Sequence, residues 1–204
     1  TRRGLFRRRL FRVAQPRMTC TLLHFTLHPS MATMPVRSPP MINPMTGFFD
    51  LAMNILDILS PKAIKVPLSS VEKKGAIEEL VDLIADAGFI AQPDVLKKIV
   101  WDREMQRTTG IGEGLAIPHG KSAASAKIIV AMGRPAQPLE FGSIDNKPVK
   151  LIVMLVSPPD RTSDHIQALG KISRLMADPK FRTAAYNTQS AQELYDLFAT
   201  AEKP

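Results

Sequence analysis

The chain has 204 residues, 45% of them apolar, which is enough for one domain with a sizeable core. None of its apolar runs approaches the ~20 residues that cross a bilayer, so the sequence predicts no membrane span. The net charge is +8, but eight arginines and one acid lie in residues 1–50, and the nearly neutral remainder argues against a nucleic-acid-binding protein.

The composition of residues 1–52 predicts a disordered basic tail rather than a folded domain. They are rich in Arg, Pro and Met, and the prolines that recur from Pro16 onward let no helical or strand period continue for long, although residues 5–14 could form a short basic amphipathic helix. Three origins fit this composition: an organelle-targeting peptide, a tail that touches acidic surfaces, or sequence upstream of the true start codon. We favour the third, because a regular domain, residues 53–204, begins at Met53.

The only cysteine of the chain, Cys20, lies in this tail. Residues 53–204 can therefore form no disulfide and no thiolate metal site. This composition is typical of the reducing cytoplasm, where we expect the protein to reside.

The domain opens with two predicted helices. Ser69 and Glu72 form a capping-box pair, Ser-x-x-Glu, at the start of the first. Gly88 ends this helix, and Pro93 opens the second, because proline is tolerated in a first turn. The apolar residues that recur at helical spacing in the first helix are Ile77, Leu80, Val81 and Ile84.

Strands and three further helices follow. In chain order the remaining predicted elements are buried strands over residues 128–132 and 149–156, a helix over 163–177, a short helix that starts at Asp178-Pro179, and a last helix over 194–199 behind a capping box of Ser190 and Glu193. Helices that alternate with buried strands predict the α/β class, with a sheet sandwiched between helices.

The glycine-rich stretch before the first of these strands resembles two nucleotide-binding motifs but fits neither. A dinucleotide fingerprint, G-x-G-x-x-G, begins well at Gly110 and Gly112, but its last glycine falls on Leu115. A phosphate-binding P-loop ends well at Gly120-Lys121-Ser122, but Gly114 lies one residue too far away. We reject both motifs.

What remains is a histidine that follows a proline and precedes a glycine. Pro118 stiffens the backbone before His119, and Gly120 allows a partner to approach closely. A neutral imidazole held in this way is suited to nucleophilic attack on phosphorus near pH 7. The alternative is an ordinary loop histidine.

Three more residues are candidates for the same site. His165 shares a helix face with apolar residues, so it is either a satisfied core histidine or a second imidazole beside His119. Arg103 and Arg107 lie one helical turn apart. They either line a solvated helix face or provide a guanidinium that stabilises a phosphoryl group.

Together these residues resemble the enzyme IIA domain of the fructose/mannitol family in the bacterial phosphoenolpyruvate-dependent phosphotransferase system. The resemblance covers roughly residues 53–200. Its motifs are Arg103-Glu104, TTGIGEGLAIPHGK over residues 108–121, SIDNKPVKLIVMLVSP over 143–158 and DHIQAL over 164–169. The IPHGK form and the stand-alone length are similar to the nitrogen-regulatory branch.

The resemblance implies a mixed sheet between helices and a specific site. His119 matches the phosphorylated histidine, His165 the second active-site histidine, and Arg103 the arginine that supports the phosphate. The implied phosphoryl donor is a small carrier of the HPr type, and no metal or organic cofactor is implied. Glu113 departs from the pattern, because relatives of the nitrogen branch often have Asn there. We expect its carboxylate to repel an incoming phosphoryl group.

Three functions are compatible with this sequence. The first is a regulatory phosphocarrier whose phosphorylation state controls partner proteins in nitrogen and potassium physiology. The second is a sugar-transport enzyme IIA that passes its phosphoryl group to an enzyme IIB. The third is a non-phosphorylated adaptor that uses the basic tail.

Overall fold

A computed structural model describes residues 53–202. The predicted basic tail, residues 1–52, lies outside this range. After a short 3-10 helix at Ile55–Asp57, the elements are β1 (Leu59–Leu68), α1 (Lys73–Asp86), α2 (Pro93–Gln106), β2 (Gly110–Gly112), β3 (Leu115–Ala116), β4 (His119–Lys121), β5 (Ile129–Pro135), β6 (Leu151–Ser157), α3 (Thr162–Ala177), α4 (Pro179–Asn187) and α5 (Ala191–Ala201).

Strand β6 is the centre of a mixed six-stranded sheet. The strand order is β1-β5-β6-β3-β2, and β4 also pairs with β6. β6 runs antiparallel to β5 and parallel to both β3 and β4. All seven residues of β6 are buried, as expected of a strand that is covered on both faces. The predicted α/β class and the mixed sheet are confirmed.

Helices cover both faces of the sheet and bury two separate apolar cores. Ile152 and Met154 of β6 point into one core, which α1 and α2 cover. Leu151 and Val153 point into the other core, which α3, α4 and α5 cover. This division follows from the alternation of side chains along a strand. Within residues 53–202 no helix combines the length and apolarity needed to cross a membrane.

The predicted helices are all present, but the capping box predicted for Ser69 and Glu72 does not form. Helix α1 begins after Glu72, whose side chain makes no capping hydrogen bond. The backbone N–H groups of Ser69 and Ser70 donate instead to the carboxylate of Glu79. The second capping box does form, because the Ser190 hydroxyl accepts from the backbone N–H of Glu193 at 3.1 Å.

Candidate active site

His119 is the first residue of the short strand β4. Its neighbour Pro118 accepts a hydrogen bond from the backbone N–H of Leu155 at 2.9 Å, and His119 itself lies level with Leu155 of β6. His119 is therefore held by the central strand of the sheet and is not an ordinary loop residue. Its side chain is half-buried and lines an open cleft.

Hydrogen bonding determines which ring nitrogen of His119 can react. Nδ1 lies 2.9 Å from the carbonyl oxygen of Ile117. A carbonyl can only accept a hydrogen bond, so Nδ1 carries the proton and Nε2 of the neutral ring keeps a free lone pair. Burial lowers the pKa of His119, and the nearby charge of Arg103 lowers this pKa further. The ring is therefore a neutral nucleophile near pH 7.

His165 lies beside His119, at the start of α3. The two ring centroids are 5.5 Å apart, and the rings meet edge to face. Burial lowers the pKa of His165 to about 4, and the charge of Lys121, together with that of His119 when its ring is protonated, acts in the same direction. Nδ1 of His165 is 2.7 Å from the hydroxyl of Ser157. His165 is thus both a satisfied core histidine and a neutral ring at the cleft.

The cleft carries positive charge. Its volume is about 470 Å³, and its lining residues are Ile99, Asp102, Arg103, Gln106, His119, Gly120, Lys121 and His165. Arg103 donates to the carbonyl of Arg107 at 2.9 Å, and Lys121 donates to the hydroxyl of Thr162 at 2.7 Å. Within residues 53–202 neither of these two cleft cations forms an ion pair with a carboxylate. Such a cleft suits an anion.

Residues 57–201 match the family model described as "Phosphoenolpyruvate-dependent sugar phosphotransferase system, EIIA 2". The chain belongs to this EIIA family. The match includes His119, His165 and Arg103 and confirms the resemblance found in the sequence.

Individual EIIA relatives carry two kinds of name. A fructose-specific EIIA component of Haloferax volcanii is 38% identical over 127 residues, which are 62% of this chain and 82% of the relative. A nitrogen regulatory protein of Bradyrhizobium diazoefficiens is 34% identical over 147 residues, which are 72% of this chain and 95% of the relative. The chain also matches the fructose-specific EIIABC component of Bacillus subtilis at 30% identity but spans only 24% of its length.

A solved structure agrees with the EIIA fold. The crystal structure of the nitrogen regulatory protein IIA-Ntr from Neisseria meningitidis superposes with a TM-score of 0.65 at 30% sequence identity. The match covers 71% of this chain and 98% of that structure.

Gly120 has a packing role in this EIIA domain in addition to its place in the cleft lining. The residue is buried against α2. A Cβ atom there would lie 3.0 Å from a side-chain methyl of Ile99 and 3.2 Å from one of Val100. The missing side chain lets α2 pack closely on β4, and this contact brings Arg103 of α2 to the cleft.

A buried carboxylate holds the chain that leads to His119. Glu104 accepts hydrogen bonds from the backbone N–H and the hydroxyl of Thr109, and its carboxylate pairs with Lys73 at 2.5 Å. The Thr109 carbonyl accepts in turn from the N–H of Ile117 at 3.0 Å. Ile117 then fixes the ring of His119. Glu104 therefore supports His119 through two intermediate residues, Thr109 and Ile117.

Glu113 does not line the cleft that contains His119. This residue lies in the turn between β2 and β3, and its carboxylate pairs with Lys147 at 2.9 Å and Arg182 at 3.5 Å. The next strand, β3, pairs with β6 at Leu151, four residues before the level of His119. At about 3.3 Å per residue this offset places the turn more than about 13 Å along the strand from the histidine. The carboxylate lies outside the cleft and is paired with two cations, so its effect on an incoming phosphoryl group stays a prediction.

Sequence reasoning missed three residues that the structure places at the site. They are Glu104, Lys121 and Ser157. Glu104 follows Leu96 and Val100 on the apolar face of α2, and a carboxylate on an apolar stripe is a readable signal of a buried polar network. No comparable signal marks Lys121 or Ser157.

In residues 53–202 no group of three His, Cys, Asp or Glu side chains is arranged to hold a metal.

Proposed function

We propose that this EIIA domain is a regulatory phosphocarrier that accepts a phosphoryl group on Nε2 of His119 from an HPr-type carrier. In this role its phosphorylation state controls partner proteins in nitrogen and potassium regulation. The observation that carries the proposal is the hydrogen bond from His119 Nδ1 to the carbonyl of Ile117, which leaves Nε2 unprotonated inside a cationic cleft.

The transfer is an in-line displacement between two histidines. The lone pair of His119 Nε2 attacks phosphorus, a new P–N bond forms, and the P–N bond of the carrier breaks, with its electron pair returning to the carrier's imidazole. The guanidinium of Arg103 and the ammonium of Lys121 balance charge on the phosphoryl oxygens. Because its pKa is about 4, His165 stays neutral near pH 7 and contributes a hydrogen bond rather than a charge.

Apolar residues around the cleft provide a surface for the carrier. Ile111 and Ile144 are 46% and 63% exposed, and both line a second cleft that also reaches His119. Ile166, the neighbour of His165, is 63% exposed. An apolar contact area around a polar centre is a common composition for protein–protein interfaces. Phosphorylation would add about −1.5 to −2 charges to this surface and so change which partner it binds.

Phosphotransfer with the full chain tests the proposal. The chain is mixed with enzyme I, an HPr-type carrier and labelled phosphoenolpyruvate, and the label is mapped. We expect one acid-labile phosphoryl group on His119 and none in the His119→Ala variant. His28→Ala is the matched control and should label fully. Full labelling of His119→Ala would contradict the assignment. Absence of label on a folded chain, with active carriers, would favour the non-phosphorylated adaptor.

A sugar-transport role is the second candidate, because the Haloferax volcanii relative named as a fructose-specific EIIA component has the higher identity over its matched region. The labelled chain is incubated with a purified fructose-type enzyme IIB. Rapid, complete passage of the phosphoryl group to enzyme IIB would support transport. Retention of the label on His119 would support regulation, in line with the relative matched over 95% of its length.

A further inference from the structure

The last residue of β6 is a buried serine in an otherwise apolar strand. Ser157 is 0% exposed, and its hydroxyl lies 2.7 Å from Nδ1 of His165. Its backbone carbonyl accepts a hydrogen bond from the N–H of Ser122 at 2.9 Å, which fixes the strand end. A buried hydroxyl requires a hydrogen-bond partner. Within residues 53–202 that partner is His165 Nδ1.

Only one arrangement of hydrogens satisfies both groups. A neutral imidazole carries a single ring proton, and a hydroxyl has one hydrogen to donate. If Nδ1 carried the ring proton and donated to Ser157, the serine hydrogen would have no acceptor in a buried place. If the serine hydroxyl donates to Nδ1, both groups are satisfied, and Nε2 of His165 carries the ring proton.

We propose that Ser157 is a positioning residue that holds His165 in the Nε2–H form and thereby determines which of the two histidines accepts the phosphoryl group. The inference rests on the proposed function. His119 is held in the opposite form, with its proton on Nδ1, by the carbonyl of Ile117. The two rings, 5.5 Å apart, thus present different groups to the same cleft.

The two forms have different chemistry. Nε2 of His119 offers a lone pair and can attack phosphorus, whereas Nε2–H of His165 can only donate a hydrogen bond to a phosphoryl oxygen. With the lone pair of His165 on Nδ1 and occupied by Ser157, the ring cannot compete as a nucleophile. The reverse form would direct a lone pair toward the negative phosphoryl oxygens and repel them.

Ring-nitrogen NMR tests the proton positions without any phosphoryl donor. In the full chain with 15N-labelled histidine, we expect His165 to show a protonated Nε2 and an unprotonated Nδ1 near pH 7. Ser157→Ala should give a mixture of the two forms, and Ser157→Thr, which keeps the hydroxyl, should retain the wild-type form. A protonated Nδ1 on His165 of the wild-type chain would overturn the inference.

Kinetics provide the second measurement. Ser157→Ala should slow phosphoryl transfer to His119 about tenfold, the effect of one lost neutral hydrogen bond, with the KM for the HPr-type carrier unchanged. Ser157→Thr should recover the rate. An unchanged rate in a Ser157→Ala variant whose His165 protons have redistributed would also overturn the inference. If the wild-type chain takes no label, the proposed function fails, whereas the NMR result still decides the proton positions.

Discussion

The charged side chains near the two ends of strand β6 differ in whether they have partners of opposite charge. Near its first residue, the exposed carboxylate of Glu113 pairs with both Lys147 and Arg182. Near its last residues, Arg103 and Lys121 have no carboxylate partner among residues 53–202, although they line the cleft. At the end near Glu113, called the paired end below, the carboxylate is therefore already neutralised by the two cations. At the cleft end, which Asp102 also lines, the charges of Arg103 and Lys121 are available to a bound anion.

Burial differs between the two ends as well. The charged groups around Glu113 are mostly exposed, where ion pairs contribute little to stability. The cleft end instead buries His165 and half-buries His119, and burial keeps both rings neutral. Changes at the cleft end should therefore alter activity and acid stability, and changes at the paired end should alter neither.

The largest effect concerns acid stability. His165 has a folded-state pKa of about 4, against 6.5 for the ordinary group, so the unfolded chain takes up its proton first. The contribution of His165 to stability is complete above pH 6.5 and falls by roughly 3 kcal/mol as the pH decreases to 4. In the His165→Gln variant, the free energy of unfolding should therefore differ less between about pH 7 and about pH 4.5 than it does in the wild type. Urea unfolding at the two pH values measures this difference.

Lys147→Gln, at the paired end, is the control for this measurement and should lose stability on acidification as the wild type does. A His165→Gln variant with the full wild-type loss would show that some other group is responsible for the acid sensitivity.

Removing the unpaired guanidinium should have the largest effect on rate. Arg103→Ala should slow phosphotransfer to His119 about 100-fold, because one preorganised cation at developing charge is lost. Lys147→Ala removes a cation at the paired end and should leave the rate within about twofold. Initial rates with a labelled HPr-type carrier measure both variants. Equal losses would mean that the net charge of the domain, and not its placement, governs transfer.

Close packing under the cleft gives the third prediction. Gly120→Ala should lower the free energy of unfolding by about 1–2 kcal/mol, because the new Cβ would crowd Ile99 and Val100. It should also slow phosphotransfer by displacing α2 and its Arg103. Gly170→Ala is the matched control, since a Cβ on Gly170 meets nothing within 4 Å.

Gly170→Ala should raise stability by about 0.5–1 kcal/mol through helix propensity alone. Urea denaturation of both variants checks the pair. A Gly120→Ala variant as stable as the wild type would show that α2 can shift without cost.

The smallest effect belongs to Glu113. Its backbone has a φ of 54°, a left-handed conformation in which Asn is enriched. Glu113→Asn therefore gains backbone preference and loses exposed ion pairs, so the urea midpoint of unfolding should stay close to that of the wild type. The phosphotransfer rate should stay at the wild-type value. A faster rate would support the prediction that this carboxylate repels the phosphoryl group.

Local signals in the sequence predicted all five α-helices of residues 53–202 and the two strands β5 and β6. The apolar period of α1 and the continuous apolar run of β6 are readable without a fold, because each element carries its own pattern. Strand β1 was missed because lysines, a serine and two prolines interrupt its apolar residues. Strands β2, β3 and β4 have two or three residues each, too few to show any period.

For the candidate site, sequence reasoning identified the histidines but not what holds them. His119 and His165 stood out through their neighbours and through the family resemblance. Ser157 and Lys121 reach these rings only because β4 and β6 pair side by side, with Lys121 level with Ser157. Such strand pairing brings together residues that are distant in the sequence, and no local pattern predicts it.

Under the proposed function, the hydrogen bond between His119 Nδ1 and the carbonyl of Ile117 also determines which phosphohistidine isomer would form. Imidazole can form two phosphoramidate isomers, one at each nitrogen, and reagents that detect protein phosphohistidine distinguish them. With Nδ1 occupied by a main-chain acceptor, the proposed transfer to His119 would give only the isomer substituted at Nε2, known as 3-phosphohistidine. An antibody specific for that isomer should therefore recognise the phosphorylated protein, and one raised against 1-phosphohistidine should not.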